Sequence, residues 1–345
     1  MSWENHRVQS VLVIHQGALG DFILGLPALE GLREAFPGAP LTLLGYPRIL
    51  ELVDQRFYAE RILSIDQRGM ASFFGGGSLD PSLSQLVRRF DLVVVFGRDE
   101  EGALVRNLKQ VCHGKILHIR SFPSKNETIH MTEHLLRQFS QQGLPLSGSN
   151  PRLRLKKLAQ DWGRDFLENK GMTLKERAEA VVLHPGSGSK KKVWPLDRFL
   201  SLARILRDRF GSKILIILGP AEGPETEGFF EGLDAQGFIP VRGLSLLQVA
   251  SVMEGCRLFI GNDSGISHLA SALRIPTIAL FGPTDPRIWS PRGEKVRVVK
   301  KETACSPCTR ERFFQCADSE CLKRIAIEDV LLEIGTLPNF CGDSS

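Results

Sequence analysis

Two stretches of the chain place small residues beside side chains that can bind an anion. The first is IGNDSGISH, residues 260–268, whose candidate binding residues are Asn262, Asp263, Ser264, Gly265 and His268. An apolar run precedes it and a helical pattern follows it, so free backbone N–H groups are expected at the helix start. A capping role for Asp263 or Ser264 would account for one polar residue, but not for the whole group. The stretch therefore predicts a phosphate site.

The second stretch is HPGSGSKKKVWP, residues 184–195, which also follows a predicted strand. Gly186 and Gly188 give a flexible loop, and three consecutive lysines at 190–192 place cations beside it, which suits a diphosphate. The spacing is not that of a P-loop, and no GxGxxG opens a helix with an acidic residue about 20 positions on. Walker ATPase and nicotinamide-dependent functions are therefore not indicated. The alternative interpretation is a solvated lysine loop.

Two further loops carry carboxylates. HQGALGDFILGLPAL, residues 15–29, follows the first predicted strand, with Gly17 and Gly20 in its loop and Asp21 at the helix entry. An aspartate there is commonly an N-cap, but a carboxylate on such a loop can also serve as a general base. GPAEG, residues 219–223, closes another strand and offers Glu222, whose carboxylate can accept hydrogen bonds from ribose hydroxyls.

These loops lie on a regular alternation of apolar strands and helical patterns, which predicts parallel sheets covered on both faces. In the first half the predicted strands are 11–14, 41–46, 61–65, 92–96 and 115–119, with helical patterns at 27–36 and 100–109. In the second half the predicted strands are 180–186, 213–219, 257–263 and 277–283, with helices at about 195–210, 223–235, 245–254 and 265–273.

Residues 143–157 interrupt this alternation with a stretch rich in Gly, Pro, Ser and basic residues, which predicts an exposed linker. The 345 residues also exceed the usual size of one domain. We therefore predict two α/β domains, 1–157 and 158–345, each a doubly wound Rossmann-like sheet, with the last helix free to pack back on the first domain. Two such domains facing across a cleft would bind ligands at the carboxyl ends of their strands.

The composition excludes several other classes. With 42% hydrophobic and 24% charged residues, it is that of a soluble globular protein. The net charge of +5 is small, no strong basic stripe indicates nucleic-acid binding, and no window approaches the ~18 apolar residues of a spanning helix. MSWENHRVQSVLVIHQ lacks the apolar region of a signal peptide, so a cytoplasmic location is expected.

Taken together and in this order, the stretches resemble the heptosyltransferases of glycosyltransferase family 9, the bacterial enzymes that build the inner core of lipopolysaccharide. The most specific part is GNDSGISHLASALRIPTIALFGPTDPRIWSP, residues 261–291, which is similar to the family's D-[TS]-G-x-x-H-L-A-x-A followed by LFGPTDP and a tryptophan. Residues 12–39 look like the family's opening block, and residues 184–199 look like its central block. The resemblance covers nearly the whole chain and implies the GT-B fold.

The resemblance also implies residue roles. Asp21 matches the family's proposed base, and Lys192, two residues before Trp194, matches its donor-phosphate lysine. Glu222 matches the acidic residue that holds the nucleoside sugar. The donor-binding turn is matched by Asp263, Ser264, Gly265 and His268. The expected substrate-binding set is completed by Gly17, Gly20, Ser187, Gly188, Trp194 and Asn262.

The implied reaction moves a heptose from ADP-heptose, bound mainly by the second domain, to a lipid-linked core oligosaccharide against the first. Direct displacement would invert the anomeric carbon, with Asp21 taking the acceptor proton while Lys192 and the helix start offset the charge on the departing ADP. Neither a metal ion nor a cofactor beyond this donor substrate is expected. The expected location is cytoplasmic and peripheral, on the inner face of the bacterial inner membrane.

Several alternatives remain. The donor could be another nucleotide sugar, the fold could serve a nucleotide-sugar epimerase, or the chain could be a catalytically silent nucleotide-sugar-binding module. Ser264 stands where Thr is commoner in the family. Residues 66–82 are interpreted as a Gly-rich, insertion-like loop near the acceptor side. The acceptor is therefore the least transferable part of the resemblance.

Four of the seven cysteines, at 305, 308, 316 and 321, have the spacing C-x2-C-x7-C-x4-C. The odd total and the expected cytoplasmic location argue against a disulfide framework. The first pair has a spacing typical of zinc ligands, and there is no second CxxC. The sequence favours structural thiols and leaves structural zinc and a redox function as alternatives.

Overall fold

The computed structural model describes residues 3, 7–54, 57–99, 102–124, 127–219, 228, 232–233 and 237–337. It divides the chain into two compact units, Met1–Pro151 and Arg152–Ser345. Part of the predicted linker belongs to the second unit, because Leu153 and Leu155 are buried and the Leu153 N–H donates to the Ala272 carbonyl at 2.8 Å. The predicted exposed linker at 143–157 thus contains buried residues.

The first unit contains a parallel sheet with the strand order β3-β2-β1-β4-β5. Its strands confirm all five predicted ones: β1 (Val11–His15), β2 (Leu41–Gly45), β3 (Arg61–Ser64), β4 (Leu92–Phe96) and β5 (Lys115–Ile119). Its described helices are α1 (Leu19–Ala35), α2 (Pro47–Leu50), α3 (Met70–Phe74), α4 (Pro81–Val87), α5 (Ala103–Val111) and α6 (Met131–Gln141).

Residues 66–82 are not the plain loop that their glycines suggest. They contain α3, whose Met70 and Phe73 are buried in the core of the first unit, and the start of α4. The Asp80 carboxylate caps α4 by accepting from the Leu83 N–H at 2.9 Å. Burial of two large apolar side chains outweighs the low helix propensity of the surrounding glycines.

The second unit contains a parallel sheet with the strand order β11-β10-β9-β6-β7-β8. Its strands are β6 (Val181–His184), β7 (Ile214–Leu218), β8 (Ile239–Arg242), β9 (Leu258–Asn262), β10 (Thr277–Phe281) and β11 (Val296–Lys300). Its described helices are α7 (Lys157–Glu168), α8 (Leu174–Ala178), α9 (Leu196–Phe210), α10 (Leu246–Met253), α11 (Gly265–Ala272), α12 (Pro286–Trp289), α13 (Arg310–Gln315), α14 (Glu320–Lys323) and α15 (Ile327–Gly335). The helix predicted at 223–235 lies largely outside the described residues.

Two strands of the second sheet, β8 and β11, are absent from the sequence prediction. Both lie at the edges of the sheet and are only partly buried, whereas β7, β9 and β10 are buried along their whole length. Pro240 in β8 and Arg297 in β11 interrupt the continuous apolar run by which a parallel strand is recognised.

The last described helix, α15, contributes to the second core. Its Val330 and Ile334 pack in the cluster that also contains Trp194 and the strand residues Leu183 and Ile260. The sequence analysis allowed the last helix to pack back on the first domain. The buried side chains of α15 pack in the core of the second unit instead.

In both sheets the first strand of the unit, β1 or β6, lies inside the sheet, and later strands extend to both sides of it. The strand order therefore reverses between β1 and β4 in the first unit and between β6 and β9 in the second. In open parallel sheets, ligands bind beyond the carboxyl ends of the strands at such a point. Among the described residues, no helix combines the length and the hydropathy that crossing a bilayer requires.

Candidate functional site

The carboxyl ends of β6, β9 and β10 bring three loops of the second unit together around Asp263. The Lys192 ammonium nitrogen lies 2.7 Å from Asp263 Oδ2, and the Thr284 hydroxyl donates to the same oxygen at 2.6 Å. The Ser187 hydroxyl donates to the Asp263 backbone carbonyl at 2.9 Å. Loops that are up to 97 positions apart in sequence, from Ser187 to Thr284, are thus joined at one carboxylate.

Asp263 is a buried carboxylate, 7% exposed, and such a charge is costly unless it is paired and hydrogen-bonded. Lys192 supplies the counter-charge, and its side chain is 26% exposed. An ammonium has three donors, so Lys192 can bind Asp263 and still present N–H groups to a ligand. The pair places a fixed cation next to the start of α11.

The start of α11 is open to an anion. Ser264 occupies the N-cap position, and in the described part of the chain its side chain makes no capping hydrogen bond to the helix. Its hydroxyl lies 3.3 Å from that of Ser267 instead, while Ser264, Gly265 and Ile266 remain partly exposed. The first N–H groups of a helix have no acceptors within the helix and carry its positive partial charge. Capping by Ser264 therefore does not account for this turn.

Asn262 and Trp194 are buried next to the turn between β9 and α11. Asn262 is fully buried and braces the neighbouring loop: Oδ1 accepts from the Trp194 backbone N–H at 3.0 Å, and Nδ2 donates to the Pro185 carbonyl at 2.7 Å. The Trp194 indole is also fully buried, and its Nε1–H donates to the Ile325 carbonyl at 2.9 Å. Neither side chain is exposed, and their hydrogen bonds support the loop after β6. Their contact with the substrate stays a prediction. His268 is likewise buried, on the inner side of α11.

The three lysines at 190–192 have different surroundings. Lys190 is exposed, and Lys192 binds Asp263. The Lys191 ammonium donates to the carbonyls of Phe313 and Phe314 at 2.7 and 2.5 Å. Gly188 is exposed and open around its Cα, so this end of the loop is accessible. The three lysines are therefore not an undifferentiated solvated run.

Asp21 stands at the carboxyl end of β1 in the first unit. It is the third residue of α1 rather than its N-cap, which is Ala18, and its Oδ2 accepts from the Ala18 N–H at 3.1 Å. Gly17 leaves space for this arrangement, because a Cβ there would lie 2.7 Å from Asp21 Cβ. Gly20, the second residue of α1, is partly exposed beside it.

A buried histidine ends the inner strand of each unit, His15 on β1 and His184 on β6. Burial lowers the pKa of each to about 4, so both are neutral near pH 7. His15 Nδ1 accepts from the Gly17 N–H at 3.3 Å, which fixes the loop leading to Asp21.

One predicted residue cannot be placed at this site. Glu222 lies outside the described residues. Within the described ranges, no group of three or more His, Cys, Asp or Glu side chains is arranged to hold a metal ion. Thr284, by contrast, is a site residue that the sequence analysis did not single out, although it lies in the quoted GPTDP stretch.

Comparison with known proteins places the chain in a family. The model of glycosyltransferase family 9 (heptosyltransferase) matches residues 109–316. Lipopolysaccharide heptosyltransferase 1 of Pseudomonas aeruginosa is 25% identical over 323 residues, covering 87% of this chain and 86% of that protein. The glycosyl transferase family 9 structure from Veillonella parvula has a TM-score of 0.77 at 20% identity, covering 95% and 96% of the two chains. The E. coli ADP-heptose lps heptosyltransferase II has a TM-score of 0.72 at 20% identity, covering 94% and 97%.

Two doubly wound α/β domains with these structural neighbours define the GT-B fold class. The match of the family model over more than half of the residues identifies the family as well: the chain belongs to glycosyltransferase family 9, the heptosyltransferases. The expectations for fold class and enzyme class are thereby confirmed.

Proposed function

We propose that the protein is an inverting heptosyltransferase that moves a heptose from ADP-heptose to a lipopolysaccharide inner-core acceptor. The names of its relatives, lipopolysaccharide heptosyltransferase and ADP-heptose lps heptosyltransferase, support this donor and acceptor. The observation that carries the proposal is the cation and open helix start around Asp263, which suit the diphosphate of a nucleotide sugar. Ser187, Gly188, Ser264 and Gly265 line this side of the second unit, and Glu222 is proposed for the nucleoside sugar.

In the proposed reaction the acceptor hydroxyl attacks the anomeric carbon while the bond from that carbon to the ADP oxygen breaks. The hydroxyl proton passes to the Asp21 carboxylate, and ADP departs with the electron pair of the broken bond. Lys192 and the first N–H groups of α11 stabilise the charge that grows on the departing phosphate. Because these groups are part of the protein, the proposed reaction requires no metal ion.

ADP should stabilise the folded protein if the donor site is assigned correctly. A ligand that binds only the native state raises the free energy of unfolding by ~2.7 kcal/mol at a hundredfold excess over its Kd. We expect a higher Tm with ADP or an ADP-sugar in differential scanning fluorimetry, with UDP and UDP-sugars as the matched comparison. No shift with any adenine diphosphate would overturn the donor assignment, and a shift with UDP compounds alone would reassign it.

The acceptor side of the proposal is supported by charges in the first unit. An exposed arginine follows four of its five strands within a few residues at the carboxyl edge: Arg48, Arg68, Arg98 and Arg120. The Arg98 guanidinium lies 4.0 Å from the centre of the Phe122 ring, which is itself 40% exposed. Basic and apolar groups together suit a lipid-borne anionic acceptor at the inner face of the inner membrane.

Charge reversal in the full-length chain tests this acceptor side. We expect the double variant Arg48→Glu/Arg68→Glu to float with anionic vesicles far less than the wild type. Each basic residue near such a surface contributes about 1 kcal/mol to the free energy of membrane binding. The matched control is Lys170→Glu/Arg209→Glu, which reverses two exposed charges of the second unit. Flotation that falls only in the control pair would assign membrane contact to the second unit instead.

A further inference from the structure

The imidazole of His15 is enclosed at the point of the first sheet where the strand order reverses. His15 ends β1, pairs with Phe96 at the end of β4 and is 6% exposed. The Phe22 ring meets the imidazole edge-on, with 5.2 Å between the ring centres, and the centre of the Phe96 ring lies 5.9 Å away. Close packing of this kind leaves the imidazole little freedom to turn, so its two nitrogen atoms point in fixed directions.

The imidazole is hydrogen-bonded to the loop that leads to Asp21. The Gly17 N–H donates to Nδ1 at 3.3 Å, so Nδ1 carries a lone pair and the proton of the neutral ring is on Nε2. Burial lowers the pKa of His15 to about 4, and a hydrogen bond to the Asp21 backbone acts against this effect. A hydrogen bond that favours the protonated form is one in which the ring donates, so the Asp21 carbonyl accepts it. The ring therefore contacts the loop at both of its ends.

The Asp21 carboxylate lies close to the same ring. A Cβ atom built on Gly17 would be 2.8 Å from His15 Cε1, 2.7 Å from Asp21 Cβ and 3.1 Å from Asp21 Oδ2. Because residue 17 has no side chain, the imidazole and the carboxylate can approach the same point. Asp21 Oδ2 also accepts from the Ala18 N–H at 3.1 Å. The loop thus holds the carboxylate from its backbone, and His15 holds the loop.

The histidine at the equivalent position of the second unit makes a different contact. His184 ends β6, and its Nδ1 lies 3.1 Å from the Ile217 carbonyl on the neighbouring strand β7. This bond joins two strands of one sheet, whereas the bond from Gly17 to His15 ties down a loop beyond the end of a strand. Burial at a strand end therefore does not by itself account for the contacts of His15.

We propose that His15 is a positioning residue for the transfer step, which holds the loop 16–20 so that the Asp21 carboxylate meets the acceptor hydroxyl at a fixed place. This role rests on the proposed function, in which Asp21 takes the proton of that hydroxyl. A base must lie within hydrogen-bonding reach of the proton, and a misplacement of about 1 Å can lower the rate by about 100-fold. A neutral ring suits this task, because it orients the loop without pairing the charge of the carboxylate.

His15→Phe in the full-length protein tests this role. Phenylalanine keeps an aromatic ring between Phe22 and Phe96 but removes both hydrogen bonds. We expect kcat for heptose transfer to fall by about 10- to 100-fold. The Kd for ADP should stay within about twofold, because the proposed donor site lies in the second unit. His15→Asn should recover part of kcat, since the side-chain oxygen of Asn can accept from the Gly17 N–H in place of Nδ1.

A double-mutant cycle shows whether His15 acts through Asp21. If it does, His15→Phe should lower kcat by less than about threefold in an Asp21→Asn background, because the base that it positions is already lost. Phe22→Leu is the matched control for packing. It removes a ring contact of His15 and leaves both hydrogen bonds, so it should lower Tm while kcat stays within about twofold.

The outcomes separate this role from the proposed function. If the wild type transfers heptose but His15→Phe changes kcat by less than about threefold, or lowers it equally with and without Asp21→Asn, His15 has no positioning role and the proposed function stands. A wild type that transfers no heptose would overturn both.

A second variant keeps the test open if His15→Phe does not fold. Gly17→Ala adds a methyl group that displaces the imidazole and the carboxylate while both remain present. We expect kcat to fall by about tenfold or more at a near-normal Kd for ADP. A kcat close to that of the wild type would overturn the role of His15.

Discussion

Asp21→Asn is expected to lower kcat by about 10²- to 10⁴-fold, which corresponds to about 3 to 5 kcal/mol of barrier. An amide cannot take the proton of the acceptor hydroxyl, so the general base is lost. The amide oxygen can still accept from the Ala18 N–H, which the carboxylate now does at 3.1 Å, so α1 should remain intact. The measurements are Tm, the Kd for ADP-heptose and kcat, for the variant and the wild type under the same conditions.

The chain offers a matched control for this substitution. Asp329 is also the third residue of its helix, and its Oδ2 accepts from the Ala326 N–H at 2.9 Å, the same arrangement as Asp21 with Ala18. Asp329→Asn removes a carboxylate from an equivalent position in α15, together with an ion pair to Lys301. It should keep kcat within about twofold. If Asp21→Asn also kept kcat within threefold at normal Tm and donor affinity, Asp21 would only support the helix.

Lys192→Met is expected to weaken ADP binding by about 10- to 100-fold and to destabilise the second unit. A charge-assisted hydrogen bond to a phosphate contributes about 1.5–3 kcal/mol, which Met cannot replace. The substitution also leaves the Asp263 carboxylate buried without its counter-charge. Breaking a buried pair costs about 3–5 kcal/mol, and the partial exposure of Lys192 reduces this to about 1–3 kcal/mol. Calorimetric titration with ADP and denaturant unfolding measure the two effects.

A second substitution separates stability from binding. Lys192→Met/Asp263→Asn removes both charges, and an Asn side chain can still hydrogen-bond to Thr284. This double variant should regain most of the lost stability but not the affinity for ADP. Lys190→Met is the matched control for charge, because Lys190 lies two positions away and is exposed. Equal losses of affinity in the Lys190 and Lys192 variants would indicate a diffuse positive field rather than a phosphate contact at Lys192.

The sequence alone determined the architecture well wherever the strands are buried. Strands such as β1, β4 and β9 are continuous apolar runs because both faces of a parallel sheet are covered, and this pattern is local. The turns after these strands were recognisable for a similar reason, since a tight turn or an open helix start needs small residues. The edge strands β8 and β11 were missed because Pro240 and Arg297 interrupt their apolar runs.

The functions of individual residues at the site were decided by tertiary structure. The sequence predicts Asn262 and Trp194 as binding residues, and the structure adds that both are buried and that their hydrogen bonds support the loop after β6. Lys192 was distinguishable from its two neighbouring lysines by family resemblance only. In the structure, their different partners separate them.

The physical reason is the order of strands in the sheet. Lys192 and Asp263 are 71 residues apart, and β7 and β8 separate their loops along the chain. The sheet nevertheless places β6 beside β9, so the loops that follow these strands meet at one edge. Local patterns specify strands, helices and turns, because those depend on neighbouring residues. Which loops meet depends on how the strands pair across the whole unit, and this is determined only when the core folds.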